Sequence, residues 1–218
     1  MKAPANTSSP PAEAGGRRFV SWWDEALSVL GRRPELADLV ELVRRQGEGL
    51  YASDDLMQSI LRAVCGQQVS NAAGMKLSGT VLAACGGARG HALSEALLAR
   101  GADGLRALGL SRAKSLALTA LAGQFSQGRI DEAACAACDD AEIESRLTAL
   151  YGVGPWTAHM VLIFGLGRPN VWPGGDFGIR KALRQRALPE GPHEEFSPWR
   201  TAAAWLLWRS LTQTPVQY

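Results

Sequence analysis

The chain has 218 residues, enough for one compact domain or two intimately packed lobes, with 46% hydrophobic residues, 20% charged residues and a formal net charge of +2. No run approaches the roughly 18 consecutive apolar residues of a membrane span, and so small a net charge does not by itself point to a nucleic-acid or membrane partner. The composition is that of an ordinary soluble globular chain, expected in the cytoplasm.

Residues 1–16 (MKAPANTSSPPAEAGG) carry almost no large apolar side chain, which predicts a flexible tail and, without an apolar core segment, no secretory signal. From there on the apolar spacing is helical. Val20, Trp23, Ala26, Leu27 and Leu30 mark one face, closed by Gly31, and Leu36, Leu39, Val40 and Val43 mark a second that ends near Gly47. Ser53-Asp54-Asp55 offers an N-cap to a third helix whose buried side carries Leu56, Ile60, Leu61 and Val64. Further helices are predicted at about 70–84, 93–99, 111–126, 139–149, 155–165, 177–187 and 197–213. Alternating strand patterns are absent, so the expected class is all-α.

Four cysteines are present, Cys65, Cys85, Cys135 and Cys138. Cys135 and Cys138 form a C-x-x-C, but neither a second pair nor a nearby histidine completes a zinc set, and reduced thiols are expected. Asp139, Asp140, Glu142 and Glu144 form an acidic run, whereas residues 166–218 lean basic. Both read as mixed solvated surface on charge alone.

The most informative stretch is Leu150-Tyr151-Gly152-Val153-Gly154-Pro155-Trp156-Thr157-Ala158. Two glycines flank one apolar residue between two helices, and Pro155 suits the first turn of the second. Amides of such a turn and of the following helix start converge into an anion site able to hold a phosphate without reading sequence. The same pattern also describes a plain turn between antiparallel helices. Twenty-two residues after Gly154 stands Asp176, in Gly174-Gly175-Asp176-Phe177-Gly178, an acid where a glycine-rich loop enters a helix. Asp176 suits an N-cap as well as a catalytic carboxylate, and the two roles are compatible. Pro198-Trp199-Arg200 followed by Trp205 and Trp208 opens the last helix.

Hairpin, downstream aspartate and tryptophan-rich final helix together resemble the helix-hairpin-helix DNA glycosylase superfamily. Over residues of about 20 to 213 they resemble its 3-methyladenine DNA glycosylase II, or alkylation-repair, family. The resemblance implies two packed helical lobes with the active site in the cleft between them. Residues 17–55 plus 169–218 would carry Asp176 and the tryptophan-rich helix, and 56–168 the hairpin. It implies that Asp176 is catalytic, that Trp156, Trp208 and Met160 line the base pocket, and that Gly152, Val153, Gly154 and Thr157 contact DNA. Met160 stands where some relatives carry an aromatic. Arg62–Ser70 resembles the family's minor-groove wedge segment, placing Gln67 and Gln68 against DNA with Gln68 at the wedge. Backbone carbonyls of Thr148, Leu150 and Val153 would hold a monovalent structural cation, with no cofactor required.

Trp156 takes the position that a Schiff-base lysine occupies in members with lyase activity, so a monofunctional enzyme is expected. The implied activity is hydrolytic excision of alkylated bases such as 3-methyladenine and 7-methylguanine from double-stranded DNA. The enzyme would be a nucleoid-associated monomer, and an abasic-site endonuclease would take the product. A glycosylase for another lesion and a non-catalytic DNA-binding module are the alternatives. His159, on an apolar helix, reads as structural.

Overall fold

The structure, a computed structural model, describes residues 16–213 and 216. The tail expected over residues 1–16 lies, apart from Gly16, outside the described residues. The described chain is mainly helical, in two compact units: one of residues 16–52 with 167–213 and 216, the other of residues 53–166. Among the described residues no helix is long and apolar enough to cross a membrane.

The first unit contains β1 (Arg17–Phe19), α1 (Trp23–Leu30), α2 (Ala37–Gln46), most of β2 (Tyr51–Ser53), α10 (Phe177–Gln185), a 3-10 turn (Glu194–Phe196) and α11 (Arg200–Ser210). Its centre is α11, against which α1, α2, α10 and the 3-10 turn pack. Thr201 through Leu207 are all buried, including Trp205 at 1% exposure, so this helix has no solvent face. Ala202, Ala203 and Ala204 give neighbouring helices close approach. The Trp205 ring meets Trp23 of α1 edge-on, with centroids 5.1 Å apart.

The second unit contains α3 (Leu56–Gly66), α4 (Asn71–Ala84), α5 (Gly90–Ala107), α6 (Arg112–Ser126), α7 (Glu132–Ala136), α8 (Asp140–Thr148), α9 (Pro155–Met160) and a π-helical turn (Val161–Leu166). Here α3 is the hub, touching α4, α5, α6, α9 and the π turn. Asp55 starts it: one carboxylate oxygen accepts the Gln58 amide at 2.9 Å and the other the Gly90 amide opening α5 at 3.0 Å. Glu132 of α7 adds a third acceptor, taking the Leu56 amide at 3.0 Å.

The helical fold class expected from the sequence holds, and several of its details are corrected. A two-stranded sheet of β1 and β2 exists, each strand three residues long and so too short for a period-two signal. The helix expected at 93–99 runs from Gly90 to Ala107 with a break at Gly101, whose φ of +61° a left-handed position allows. The helix expected at 155–165 is α-helical only to Met160 and continues as the π turn. Gly165 lets that turn lie on α3, because a Cβ there would sit 2.9 Å from Ser59 Oγ and 3.0 Å from Leu56 Cδ1. The final helix, expected at 197–213, is confined to Arg200–Ser210. Neither α7 nor the 3-10 turn was expected, being too short to show a helical period.

Candidate active site

The hairpin joins α8 to α9. Asp139 caps α8 by accepting the Glu142 amide at 2.8 Å, and Asp140 and Glu142 in its first turn complement the helix dipole. That is why the acidic run sits here. The turn closes with the Val153 amide donating to the Leu150 carbonyl at 3.1 Å, and Gly154 serves as the N-cap of α9 ahead of Pro155. The two glycines do different work. Gly152 has φ +78°, and a Cβ on it would lie 3.0 Å from Ala117 Cβ and 3.4 Å from the Ala113 carbonyl oxygen, so its absence lets the turn seat against α6. Around Gly154 nothing lies within 4 Å of the missing Cβ, which leaves that side of the turn open to an approaching ligand. Val153 is 6% exposed and plugs the gap between the helices, while Tyr151 beside it is 69% exposed. His159 Nε2 lies 3.3 Å from Glu144 Oε2, linking α9 to α8.

Thr148 and Leu150 present neutral oxygens at the C-terminal end of α8, where carbonyls lack following amides and the dipole is negative, and Val153 carries another in the hairpin turn. The Leu150 carbonyl keeps a second lone pair beyond the Val153 amide. Hard uncharged donors of this kind fit a monovalent cation.

The segment expected to carry the wedge, Arg62–Ser70, runs from the last turn of α3 to the N-cap of α4, in the same unit as the hairpin. Gln68 is exposed at φ +54°, a conformation that costs an L residue on the order of 1 kcal/mol and persists only where its surroundings impose it. Val69 next to it is 45% exposed. Gln67 turns inward: its Nε2 donates to the Gly152 carbonyl at 3.0 Å and to Thr157 Oγ1 at 2.9 Å. Thr157 is 3% exposed and so is placed to hold the hairpin rather than to face outward. Lys114 of α6, buried, donates its Nζ to the Cys65 carbonyl at 2.9 Å near the end of α3. Burial lowers the pKa of this amine, and burial pushes the Cys65 thiol up to about 12 despite the nearby ammonium. The Trp156 ring lies across Gly66, its Cη2 3.4 Å from where a Cβ would be. Met160, one turn further along α9, shares the Trp156 face and is 2% exposed.

Asp176 lies in the other unit. The loop folds on itself through the Asp176 amide donating to the Pro173 carbonyl at 2.8 Å. Asp176 then caps α10, its Oδ1 accepting the Ile179 amide at 2.9 Å and the indole N–H of Trp208 at 2.8 Å. This second bond was not foreseen; the sequence signal for it was that a half-buried tryptophan requires an acceptor. Gly178 makes room for it, since a Cβ there would stand 3.0 Å from both Asp176 Oδ1 and Trp208 Cδ1. Phe177 beside it is 69% exposed.

Gly178→Ala therefore separates stability from chemistry. Helix propensity gains about 0.5–1 kcal/mol and crowding costs a similar amount, so the melting temperature stays nearly constant. Displacement of the indole from Asp176 lowers activity at this site about tenfold, roughly 1.4 kcal/mol. Thermal melts and single-turnover kinetics on the same preparations check this, and an unchanged rate would show that the contact does not matter.

No protein-family model matches the chain. The probable bifunctional transcriptional activator/DNA repair enzyme AlkA of Mycobacterium tuberculosis is 31% identical to it over 199 residues, covering 85% of this chain and 39% of that protein. DNA-3-methyladenine glycosylase 1 of Schizosaccharomyces pombe is 37% identical over 116 residues, 49% of this chain and 51% of that protein. The chain thus spans about two fifths to one half of the length of these relatives. The solved structure of the S. pombe 3-methyladenine DNA glycosylase Mag1 in complex with abasic DNA superposes with a TM-score of 0.73 at 28% identity, covering 88% of this chain and 100% of that one.

Proposed function

The chain belongs to the 3-methyladenine DNA glycosylase II family of the helix-hairpin-helix DNA glycosylases, and from that premise we propose that it excises alkylated bases from double-stranded DNA by hydrolysis of the N-glycosidic bond. The observation that carries the reading is the Asp176 carboxylate, fixed at Oδ1 by a helix amide and an indole N–H. Alkylation at N3 of adenine or N7 of guanine makes the base cationic and a good leaving group. The C1′–N bond can then break without a strong general acid, and the electron deficit falls on the sugar. A carboxylate held rigidly near C1′ stabilises that oxocarbenium-like centre and orients the attacking water. Such chemistry needs no cofactor.

The remaining residues take supporting roles. The open side of Gly154 and the amides around it hold a backbone phosphate, and the monovalent cation at the Thr148, Leu150 and Val153 carbonyls would stiffen that turn. Trp208, whose indole N–H meets Asp176, offers a π face to a cationic base, an attraction of about 0.5–2 kcal/mol. The Gln68-Val69 tip fills the gap left when the base is flipped out, which relieves part of an unstacking cost of a few kcal/mol. Lyase chemistry is not expected. Trp156 has no amine, and the lysine beside the hairpin, Lys114, is buried with its Nζ on a carbonyl. We further propose that the enzyme acts as a monomer and that its intact abasic product passes to an abasic-site endonuclease.

The test is chromatography of bases released from methylated duplex DNA, with borohydride added in parallel. Release of 3-methyladenine or 7-methylguanine, with no strand breaks and no trapped protein, is the expected result. Tight DNA binding without release of any alkylated base would leave only a binding module.

A further inference from the structure

The DNA contacts expected of Gln67 and Gln68 part ways in the structure. Gln68 projects from the α3–α4 turn, whereas both N–H groups of the Gln67 amide point inward to the hairpin. One reaches the carbonyl of Gly152, in the turn, and the other the hydroxyl of Thr157, in the first turn of α9. The partners lie 85 and 90 residues away in sequence, and Thr157 is itself sealed from solvent at 3% exposure. The chain on either side of the tip is pinned as well. Lys114 Nζ holds the Cys65 carbonyl three residues upstream of Gln68, and Ser70 Oγ accepts the Ala73 amide at the start of α4. Gly66 and Gly74 bring those two helices into near backbone contact, a Cβ on Gly74 falling 3.0 Å from Gly66 Cα. Between these anchors Gln68 is kept at its positive φ.

We propose that Gln67 is a positioning residue that locks the Gln68-Val69 tip to the phosphate-holding hairpin, without touching DNA itself. Seating the hairpin on the backbone and driving the tip into the base stack then become one event. A hairpin that grips a phosphate holds the tip at a fixed height and angle, so the tip cannot recoil while the duplex resists. This rests on the reading of the chain as a base-flipping glycosylase. It also predicts what Gln67 does not affect: backbone binding to intact duplex, which depends on charge and on the hairpin amides.

The experiment compares binding to an undamaged duplex with binding to one carrying a tetrahydrofuran abasic analogue. The fluorescence of 2-aminopurine placed opposite the analogue reports insertion of the tip. In Gln67→Ala, preference for the analogue over intact DNA falls about tenfold and the fluorescence rise is lost, within the range of couplings in contacting networks. Affinity for intact duplex stays within about twofold of wild type, that binding being electrostatic. Thr157→Val shows the same defect in weaker form, Thr157→Ser restores wild-type preference, and combining Gln67→Ala with Thr157→Val adds nothing to Gln67→Ala alone. Equal loss of affinity for both duplexes would make Gln67 a direct DNA contact and overturn the proposal, as would unchanged preference in Gln67→Ala and Thr157→Val. Should Gln67→Ala not fold, the Thr157 pair decides the matter by itself. A wild-type protein with no preference for the analogue would overturn the glycosylase reading, and this inference with it; wild-type preference untouched by the variants overturns the brace alone.

Discussion

Asp176→Asn loses base excision by a factor of roughly 10³, about 4 kcal/mol in the barrier, while folding and binding DNA as before. The substitution isolates charge from shape. Asparagine is as good an N-cap as aspartate, and its side-chain oxygen can still accept the Ile179 amide and the Trp208 indole that Asp176 Oδ1 accepts at 2.9 and 2.8 Å. Both donors are fixed, so the amide has one favourable orientation, oxygen toward them and NH₂ on the opposite side. The transition state then finds a positive dipole end where a carboxylate oxygen had been, and an oxocarbenium-like sugar is stabilised by neither. Ground-state binding moves the other way if it moves at all, because removing an anion from a surface that meets phosphates relieves repulsion. Single-turnover release of 7-methylguanine, set beside the Kd for an abasic-analogue duplex from fluorescence anisotropy, measures both terms. A variant that kept more than about a tenth of the wild-type rate would mean that the stabilising charge resides elsewhere.

What could be read from sequence divides along a physical line. Local signals were legible. Apolar spacing around Trp23, Leu27 and Leu30 gave α1, and Asp55 and Asp176, which accept amides three residues ahead, announced α3 and α10. The glycine pair at 152 and 154 marked the hairpin, although not that Gly152 faces α6 and Gly154 faces open space. Periodicity failed where an element was too short to have a period, as in β1, β2 and α7. It failed again where every face is buried, as in the π turn, since an apolar run such as Val161–Leu166 looks alike at 3.6 or 4.4 residues per turn. It was silent on partners brought together by the fold. Gln67 reads as one of two adjacent exposed glutamines until Thr157, 90 residues on, is placed beside it. Lys114 reads as a solvated lysine in the first turn of a helix, and only the packing of α6 against the end of α3 turns it inward. The Trp208 bond to Asp176 spans 32 residues and is of the same kind. Candidate catalytic residues are therefore easier to mark in the sequence than the residues that hold them.

Arg209→Met destabilises the protein by about 4 kcal/mol, a fall in melting temperature of roughly 10 °C for a chain of this size. Arg209 is 3% exposed, and each nitrogen of its guanidinium is engaged: Nε and one terminal nitrogen fork onto Glu48 at 2.5 and 3.1 Å, that nitrogen also reaches Gln46 Oε1 at 2.6 Å, and the other meets the Thr212 carbonyl at 2.6 Å. The Glu48 side chain is only 7% exposed. Methionine keeps the apolar stem but leaves a carboxylate buried without its counter-charge, and that stranded charge, rather than the lost attraction, dominates the cost. A discriminating control follows from the same reasoning. Arg209→Met combined with Glu48→Leu removes both charges and recovers most of the loss, whereas independent contributions would make the double variant worse. The pair ties the last turn of α11 to the end of α2, where Gly47 turns the chain at φ +63°. Trp208 precedes Arg209 on that turn, so a loosened α11 end also slackens the indole on Asp176. At a temperature where Arg209→Met is still folded, its excision rate should fall further than its folded fraction accounts for, and urea unfolding run beside single-turnover kinetics separates the two. A loss of stability below about 1 kcal/mol would place Arg209 and Glu48 in the class of solvent-screened surface pairs and break the link between this buried fork and Asp176.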